Sequence, residues 1–537
     1  MEAGWPVGGG EGLETLARML RGGRLTRRAF LARAAGLVGS LGAADALLPR
    51  VLGAQASARN EIVVGQSGDV SRLDPHMSGA ANDIAVSFNL FDNLVSRHVD
   101  NKLYPALATE WKLLNPTTWQ FTLRPNVKFH NGDPLTAGDV KFSIERTYDP
   151  KAKTYVASVF STVERVDAPN PATVQIVTKK PDPLLPARLT FYGGQILPKA
   201  YFERVGADEF NAKPVGTGPV RFVSWVKDDR LILDANPGYW GGKPEADRFV
   251  FRPIPDTAAR IAALLRGEVD LITRLPPDHV DTVARNPTTR VEGALYAGLY
   301  VLVVDSRRPP LDNPKIKQAL SLAIDRDTIV KELWRGQAIV ANGPIAKGDN
   351  HYDESLPPLK YDPALARQRL KEGGYKNEEI FLEVNEGYLA NAKPMSEAAV
   401  AMWRDVGINV KLEVLEFSVM MQKLREKSLK GLRWGDPAST VRDPDGMMWR
   451  LLGPGGAQET WAHPRFVELG TAARFSLDEK ARGQAYREMT AILLEHLPWI
   501  PVLQPIESYG VQKSLDWKPY SSQQIELRSF NLKVRRA

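Results

Sequence analysis

Three times this chain spells the opening of an α-helix among runs that otherwise read as β-strand, and that alternation limits the available folds more than any other feature. Asp256 stands where an N-cap belongs, ahead of Ile261, Leu264 and Leu265 on one helical face, and Gly267 closes the run. Asn313-Pro314 and Asp362-Pro363 repeat the device with proline at the first helical position, and the second of these helices ends at Gly373. Around them lie short strand-like runs at 61–65, 119–123, 173–178, 231–234, 249–254 and 408–417. Further helices are expected over 82–94, after Thr136 with Asp139 in its first turn, over 394–406, and over 477–497, where Pro498 stops the last. Strands and helices interleaved in this order predict a mixed α/β (α+β) protein, not a barrel or a solenoid. At 537 residues the chain exceeds what one core serves, so two to four lobes are expected.

One stretch joins these regions. In Lys213 through Trp225, Gly216 and Gly218 lie between Pro214 and Pro219, and Val220, Phe222 and Trp225 follow. This reads as a tight turn feeding a strand. No helix opens after the glycines and no Gly-Lys-Ser/Thr follows, which argues against a phosphate loop.

The N-terminus has its own character. Thr26-Arg27-Arg28-Ala29-Phe30-Leu31 places two arginines before a mildly apolar run at 34–48, which ends near Ala54-Gln55-Ala56. The pattern is that of a twin-arginine export signal over 1–56, with cleavage near Ala56. Asp45, Pro49 and Arg50 interrupt the run before the ~20 apolar residues that a membrane span needs. The sequence contains no cysteine, hence no disulfide, no thiolate metal site and no lipid-bearing cysteine. A periplasmic protein that is not a lipoprotein is expected. Seven arginines and four acids fall in residues 1–56, leaving 63 basic and 59 acidic residues in the remainder. A balance of +4, thinly spread, argues against nucleic-acid binding.

Enzyme signatures are missing. The seven histidines are scattered singly, and there is no His-Glu-x-x-His, no Gly-x-Ser-x-Gly and no cysteine nucleophile. No catalytic residue, cofactor or metal ligand is expected.

Several blocks together resemble the family 5 extracytoplasmic solute-binding proteins of ABC importers, the peptide-, opine- and nickel-binding group. The most specific runs from Leu103-Tyr104-Pro105-Ala106-Leu107-Ala108 to Trp111 and from Trp119 through Phe129-His130-Asn131-Gly132-Asp133 to Val140. Supporting blocks are 214–225, Asn236-Pro237-Gly238-Tyr239-Trp240, Gly267-Glu268-Val269-Asp270, 318–326 and Tyr361-Asp362-Pro363. The resemblance implies a periplasmic-binding-protein-like bivalve of the class II type, with three lobes and a hinge between lobes I and III. Lobe I would comprise 57–91, 213–300 and 501–537, lobe II 92–212 and lobe III 301–500. The ligand would be enclosed between lobes I and III and delivered to membrane permease subunits, the protein acting as a monomer.

By the same resemblance, Asp436, which follows Trp434-Gly435, would hold a ligand amine. Extra residues separate it from Asp443-Pro444-Asp445, so either Asp436 or Asp443 matches the family's anchor. Arg433 and Arg442 in the same loop would favour a carboxylate or phosphate. Trp434, Phe417, Tyr388 and Tyr300 are expected as cleft aromatics, and Gly79, Ala80 and Asn82 as groups from the lobe I side. A di- or oligopeptide leads among ligands, with an opine, sugar or sugar-phosphate-like compound as the alternative. A non-transport receptor or chaperone, or a hydrolase, is the alternative by class.

Overall fold

The computed structural model describes residue 16 and residues 27–38, 60–385, 389–439, 441–456 and 458–535. The chain divides into two compact units, Met1–Ile62 and Val63–Ala537. In the first, the helix Arg27–Val38 starts at the paired arginines. The apolar run beyond Val38 and the expected cleavage site near Ala56 lie outside the described residues.

The second unit is built on a large mixed sheet. Along it the strands run Val410–Val414, Ile380–Val384, Leu432–Gly435, Tyr300–Val304, Trp499–Gln512, Leu271–Ile272, Glu61–Gln66, Arg248–Pro253, Arg230–Ala235 and Val220–Val226. Thr289–Leu295 and Ala338–Val340 also pair with Trp499–Gln512. That strand is the spine. Its first part pairs with Tyr300–Val304 and Ala338–Val340 up to Pro505, and from Ile506 it pairs with Thr289–Leu295 and Leu271–Ile272. The lobe boundary expected at 500/501 falls inside this continuous strand, and the change of partners comes at 505/506.

Period-two geometry explains why Tyr300–Val304 is apolar throughout. Tyr300, Leu302 and Val304 enter one core with Leu320, Trp403 and Trp434. Val301 and Val303 enter another with Met448, Phe466, Tyr486 and Trp499. A strand buried on both faces has no polar side to alternate, and each such side chain contributes about 1.5–3 kcal/mol of transfer free energy.

A separate four-stranded antiparallel sheet holds Ala108–Asn115, Thr118–Leu123, Thr173–Thr178 and Val163–Asn170 in that order. The helix Ala137–Tyr148 packs on it, and the Asp139 carboxylate accepts hydrogen bonds from the Thr136 amide at 2.9 Å and hydroxyl at 2.8 Å. The Asx caps expected at Asp256, Asn313 and Asp362 accept from the amides of Ala259, Lys315 and Leu365.

Two expectations need correction. The helix expected over 82–94 is Ala81–Leu90, and Phe91 is extended. Tertiary bonds override the local pattern there, because Asn89 donates to Ile525 O and Asp92 accepts from Thr217, Tyr239, Trp240 and Arg528. The strand expected over 408–417 ends at Val414, and Phe417–Glu426 is a helix.

Gly216 to Gly218 are stitched to two neighbours. The Gly216 amide donates to His130 Nδ1 at 3.2 Å, His130 Nε2–H donates to Gly218 O at 3.0 Å, and the Gly218 amide donates to Leu90 O at 3.0 Å.

Candidate functional site

The site grows from the end of one strand. Leu432–Gly435 pairs antiparallel with Tyr300–Val304, with Trp434 opposite Leu302 and Gly435 opposite Val301. Asp436 emerges from the strand end half-buried, and the loop beyond it lies along 296–298. Ser439 N donates to Ala297 O at 2.7 Å, and Gly298 and Ala438 form a bridge. This brings the Tyr296 hydroxyl to 3.5 Å from Asp436 Oδ2.

Beside this loop lies a cavity of about 130 Å³, lined by Gly79, Phe88, Arg97, His98, Tyr192, Tyr296, Ser439, Arg442, Arg450 and residues of 520–524. Its walls come from segments expected in all three lobes. A neighbouring cavity of about 240 Å³ shares Phe88, Arg97, His98, Thr190 and Gln524 with it. Gly79 meets the wall closely, since a Cβ there would sit 2.4 Å from Tyr155 Cε1 and 2.9 Å from the Tyr192 hydroxyl. No larger residue fits without displacing those rings.

Burial shapes the electrostatics. It pushes the Tyr192 phenol up, with Tyr155 and Asp436 adding to the rise and Arg450 opposing it. Burial and then the charges of Glu507 and Asp436 raise Tyr300. Burial also raises Glu507, against the Arg274 charge and a hydrogen bond from Gln523 Nε2 at 2.9 Å, and Asp436 adds to that rise. Asp436 thus shares a poorly solvated region with groups from distant segments. A carboxylate in such a place favours a cationic partner.

Other expected residues take different places. Trp434 is 5% exposed and its indole N–H donates to Ser396 Oγ at 2.7 Å, within the core. Tyr300 belongs to the same core and meets Trp334 edge-on. Arg433 precedes Trp434 on the strand and so faces the other side, where it lines a depression with Asp305, Arg307 and Lys423. Asp443 is fully buried, ion-paired to Arg482 at 2.7 Å, and accepts from the Asp445 amide at the start of a short 3₁₀ turn. Its charge is already matched inside the protein. Arg442 is buried and ion-paired to Asp349 at 2.9 Å, yet borders the cavity. Ala80 is the exposed N-cap of Ala81–Leu90, and the main-chain oxygen of Asn82 accepts from Gln66. Neither lines the cavity, whereas Ile84 and Phe88 of that helix do. Phe417 opens a helix. Tyr388 lies outside the described residues.

Arg97, Tyr192, Tyr296 and Arg450 were not expected at the site. Nothing in their local sequence marks them, since each is brought in by packing between distant segments. Among the described residues no cluster of three or more His, Asp or Glu side chains could hold a metal ion. No helix among them is long and apolar enough to cross a membrane.

Residues 102–459 match the model for bacterial extracellular solute-binding proteins, family 5 Middle. Di/tripeptide-binding protein 2 of Pseudomonas aeruginosa is 28% identical over 462 residues, covering 80% of this chain and 85% of that one. The glutathione-binding protein GsiB of Pectobacterium atrosepticum is 26% identical over 460 residues, covering 82% of this chain and 88% of that one. Among solved structures, the periplasmic binding protein DppA from Helicobacter pylori, in complex with the peptide STSA, superposes with a TM-score of 0.78 at 24% identity, covering 90% of this chain and 100% of that one. The signature block, the mixed sheet on its long shared strand and a family match over two thirds of the sequence agree: this chain belongs to the family 5 bacterial extracellular solute-binding proteins.

Proposed function

We propose that this chain is the solute-capturing component of an ABC importer, and that it takes a di- or oligopeptide whose amino group pairs with Asp436. The observation that carries the reading is the half-buried Asp436 carboxylate at the end of Leu432–Gly435, beside Tyr296 and a cavity walled by distant segments. Relatives named for binding di- and tripeptides and glutathione support a peptide. Closure of the 57–91, 213–300 and 501–537 segments over 301–500 would exclude water from the ligand, with 92–212 as the second lobe. The protein would be exported by its twin-arginine segment, cleaved near Ala56, act as a periplasmic monomer and deliver its ligand to permease subunits without chemistry on it.

Protein taken from the periplasm tests both halves. Its mass and light scattering report the cleavage position and oligomeric state. Titration calorimetry with dipeptides should show binding that Asp436→Ala weakens by about two to three decades, the cost of removing the partner of a buried cation. Equal affinity in the variant, at unchanged thermal stability, would defeat the amine reading.

A further inference from the structure

The cavity beside Asp436 has an unbalanced charge. Among the described residues lining it there is no carboxylate, while Arg97, Arg442 and Arg450 all border it. Arg442 has Asp349. Arg97 donates from Nη1 to Asn101 O at 2.7 Å and from Nη2 to Val441 O at 3.2 Å. Arg450 donates from Nε to Gly446 O at 2.8 Å and from Nη2 to Ala438 O at 3.1 Å. Main-chain carbonyls satisfy N–H groups but leave the charge unmatched.

Asp436 lies beside the cavity, where the function proposed above gives it the ligand amine, and Glu507 accepts from Gln523 at 2.9 Å; the other nearby acids are engaged elsewhere. Asp349 and Asp443 act on Arg97 only through space, and they are ion-paired with Arg442 and Arg482. Asp92 and Glu526, in the adjoining cavity, are both bonded to Arg528. Facing Arg450 are the hydroxyl-bearing rings of Tyr192, Tyr155 and Tyr296, with Asp445 more weakly felt. Burial, with the like charge of Arg442, brings Arg97 down to about 10, and burial lowers Arg450 too. A guanidinium taken from water without a counter-ion is costly until one arrives, and its fork fits a carboxylate or phosphate bidentately.

We propose that the cavity selects an acidic peptide, one carrying a side-chain carboxylate besides its C-terminal one, with Arg97 and Arg450 receiving the two acid groups. The amine contact rests on the function proposed above for Asp436; the selection for acid rests on the charges of the cavity itself.

Calorimetry with Ala-Glu, Ala-Gln, N-acetyl-Ala-Glu and Ala-phosphoserine separates the claims. On the wild-type protein Ala-Glu should bind roughly ten-fold or more tighter than Ala-Gln, a difference of one charge-assisted contact. One of Arg450→Gln and Arg97→Gln, at the partner of the side-chain carboxylate, should bring the two peptides close to parity, and the other, at the partner of the C-terminal carboxylate, should weaken both about equally. Equal binding of Ala-Glu and Ala-Gln to the wild type, a preference that survives in both variants, or no binding of Ala-Glu overturns the proposal. Binding of Ala-phosphoserine without Ala-Glu overturns its carboxylate form. Should Arg97→Gln fail to fold, the wild-type series and Arg450→Gln decide, since Arg450→Gln must either level the two peptides or weaken both, and a variant that does neither overturns the proposal. If N-acetyl-Ala-Glu binds as well as Ala-Glu, the amine contact at Asp436 falls and the acid selection stands.

Discussion

His76 and His130 illustrate how a single side chain ties this fold to pH. His76 is fully buried, with Arg146 Nη1 donating to its Nδ1 at 2.9 Å and its Nε2–H donating to Gln195 O at 3.0 Å. His130 is clasped between the Gly216 amide and the Gly218 carbonyl. Each ring therefore has a donor on one nitrogen and an acceptor on the other, a pattern that only the neutral form satisfies. Burial lowers both to about 4. Because the folded values are depressed, the unfolded chain takes up protons first as pH falls. Their contribution is fully present above about pH 6.5 and is lost as pH falls from there toward 4. At pH 5 each should cost about 2 kcal/mol relative to pH 7.5. Asp349, raised to about 6 by burial against the pull of Arg442, works in the opposite sense, so the assignment must be made by difference. Denaturant melts of the wild type and His130→Asn at both pH values provide it. The variant should lose less stability on acidification by about that amount, and an unchanged difference would remove His130 from the account.

At the scale of elements, the segment from Lys213 into the strand Val220–Val226 works by close approach of main chain to main chain. A Cβ on Gly216 would lie 2.0 Å from Leu90 O and 2.7 Å from Phe91 Cδ1, and one on Gly218 would lie 2.2 Å from Asn89 O. Leu90 O cannot retreat freely, because it accepts the Gly218 amide. Gly216→Val should therefore destabilise the protein by more than ~3 kcal/mol or abolish folding, by overpacking against fixed backbone. A variant with wild-type melting temperature and selectively lost peptide binding would contradict this. The sequence made the element legible as a turn between prolines, but not its partner, since Leu90 is more than a hundred residues away. The same division holds elsewhere. Asx caps, prolines at N1 and alternating strands are local signals, and they located Asp256, Asn313, Asp362 and Thr118–Leu123 well. The Trp-Gly context drew attention to Asp436, whose role as an amine partner is the function proposed above. Trp434, expected in the cleft, stands in the core, since a strand's alternation does not say which face meets a core, and Arg450 carried no local mark at all.

For the whole molecule, the question is what would hold the regions around the cavity together once a ligand is bound. Among the described residues, the 92–212 region meets the 348–445 region at three polar points. Arg188 Nη2 lies 2.6 Å from Asp445 Oδ2, Arg97 Nη2 donates to Val441 O at 3.2 Å, and Asn101 Nδ2 donates to Gly348 O at 2.7 Å. Val441 packs with Leu184 and Ala187 beside them. Arg188 and Asp445 are 3% and 1% exposed, so parting these regions would wet a charge pair that is now dry. Arg188 also holds Asp182 at 2.8 Å, which keeps it matched when Asp445 is neutralised. In a bivalve fold the affinity measured for a ligand includes the free energy of closing, so a contact made only in the closed form adds to affinity without touching the ligand. Asp445→Asn keeps the shape of the side chain and removes its charge. It should raise the Kd for peptide roughly ten-fold, through faster dissociation with little change in association. Stopped-flow rates with a bound peptide, and small-angle scattering of the saturated protein, check this together. A ten-fold weaker complex that scatters like the wild type at saturation fits a latch. Unchanged dissociation would mean that the Arg188–Asp445 pair stabilises the fold alone and that closure is carried by the ligand.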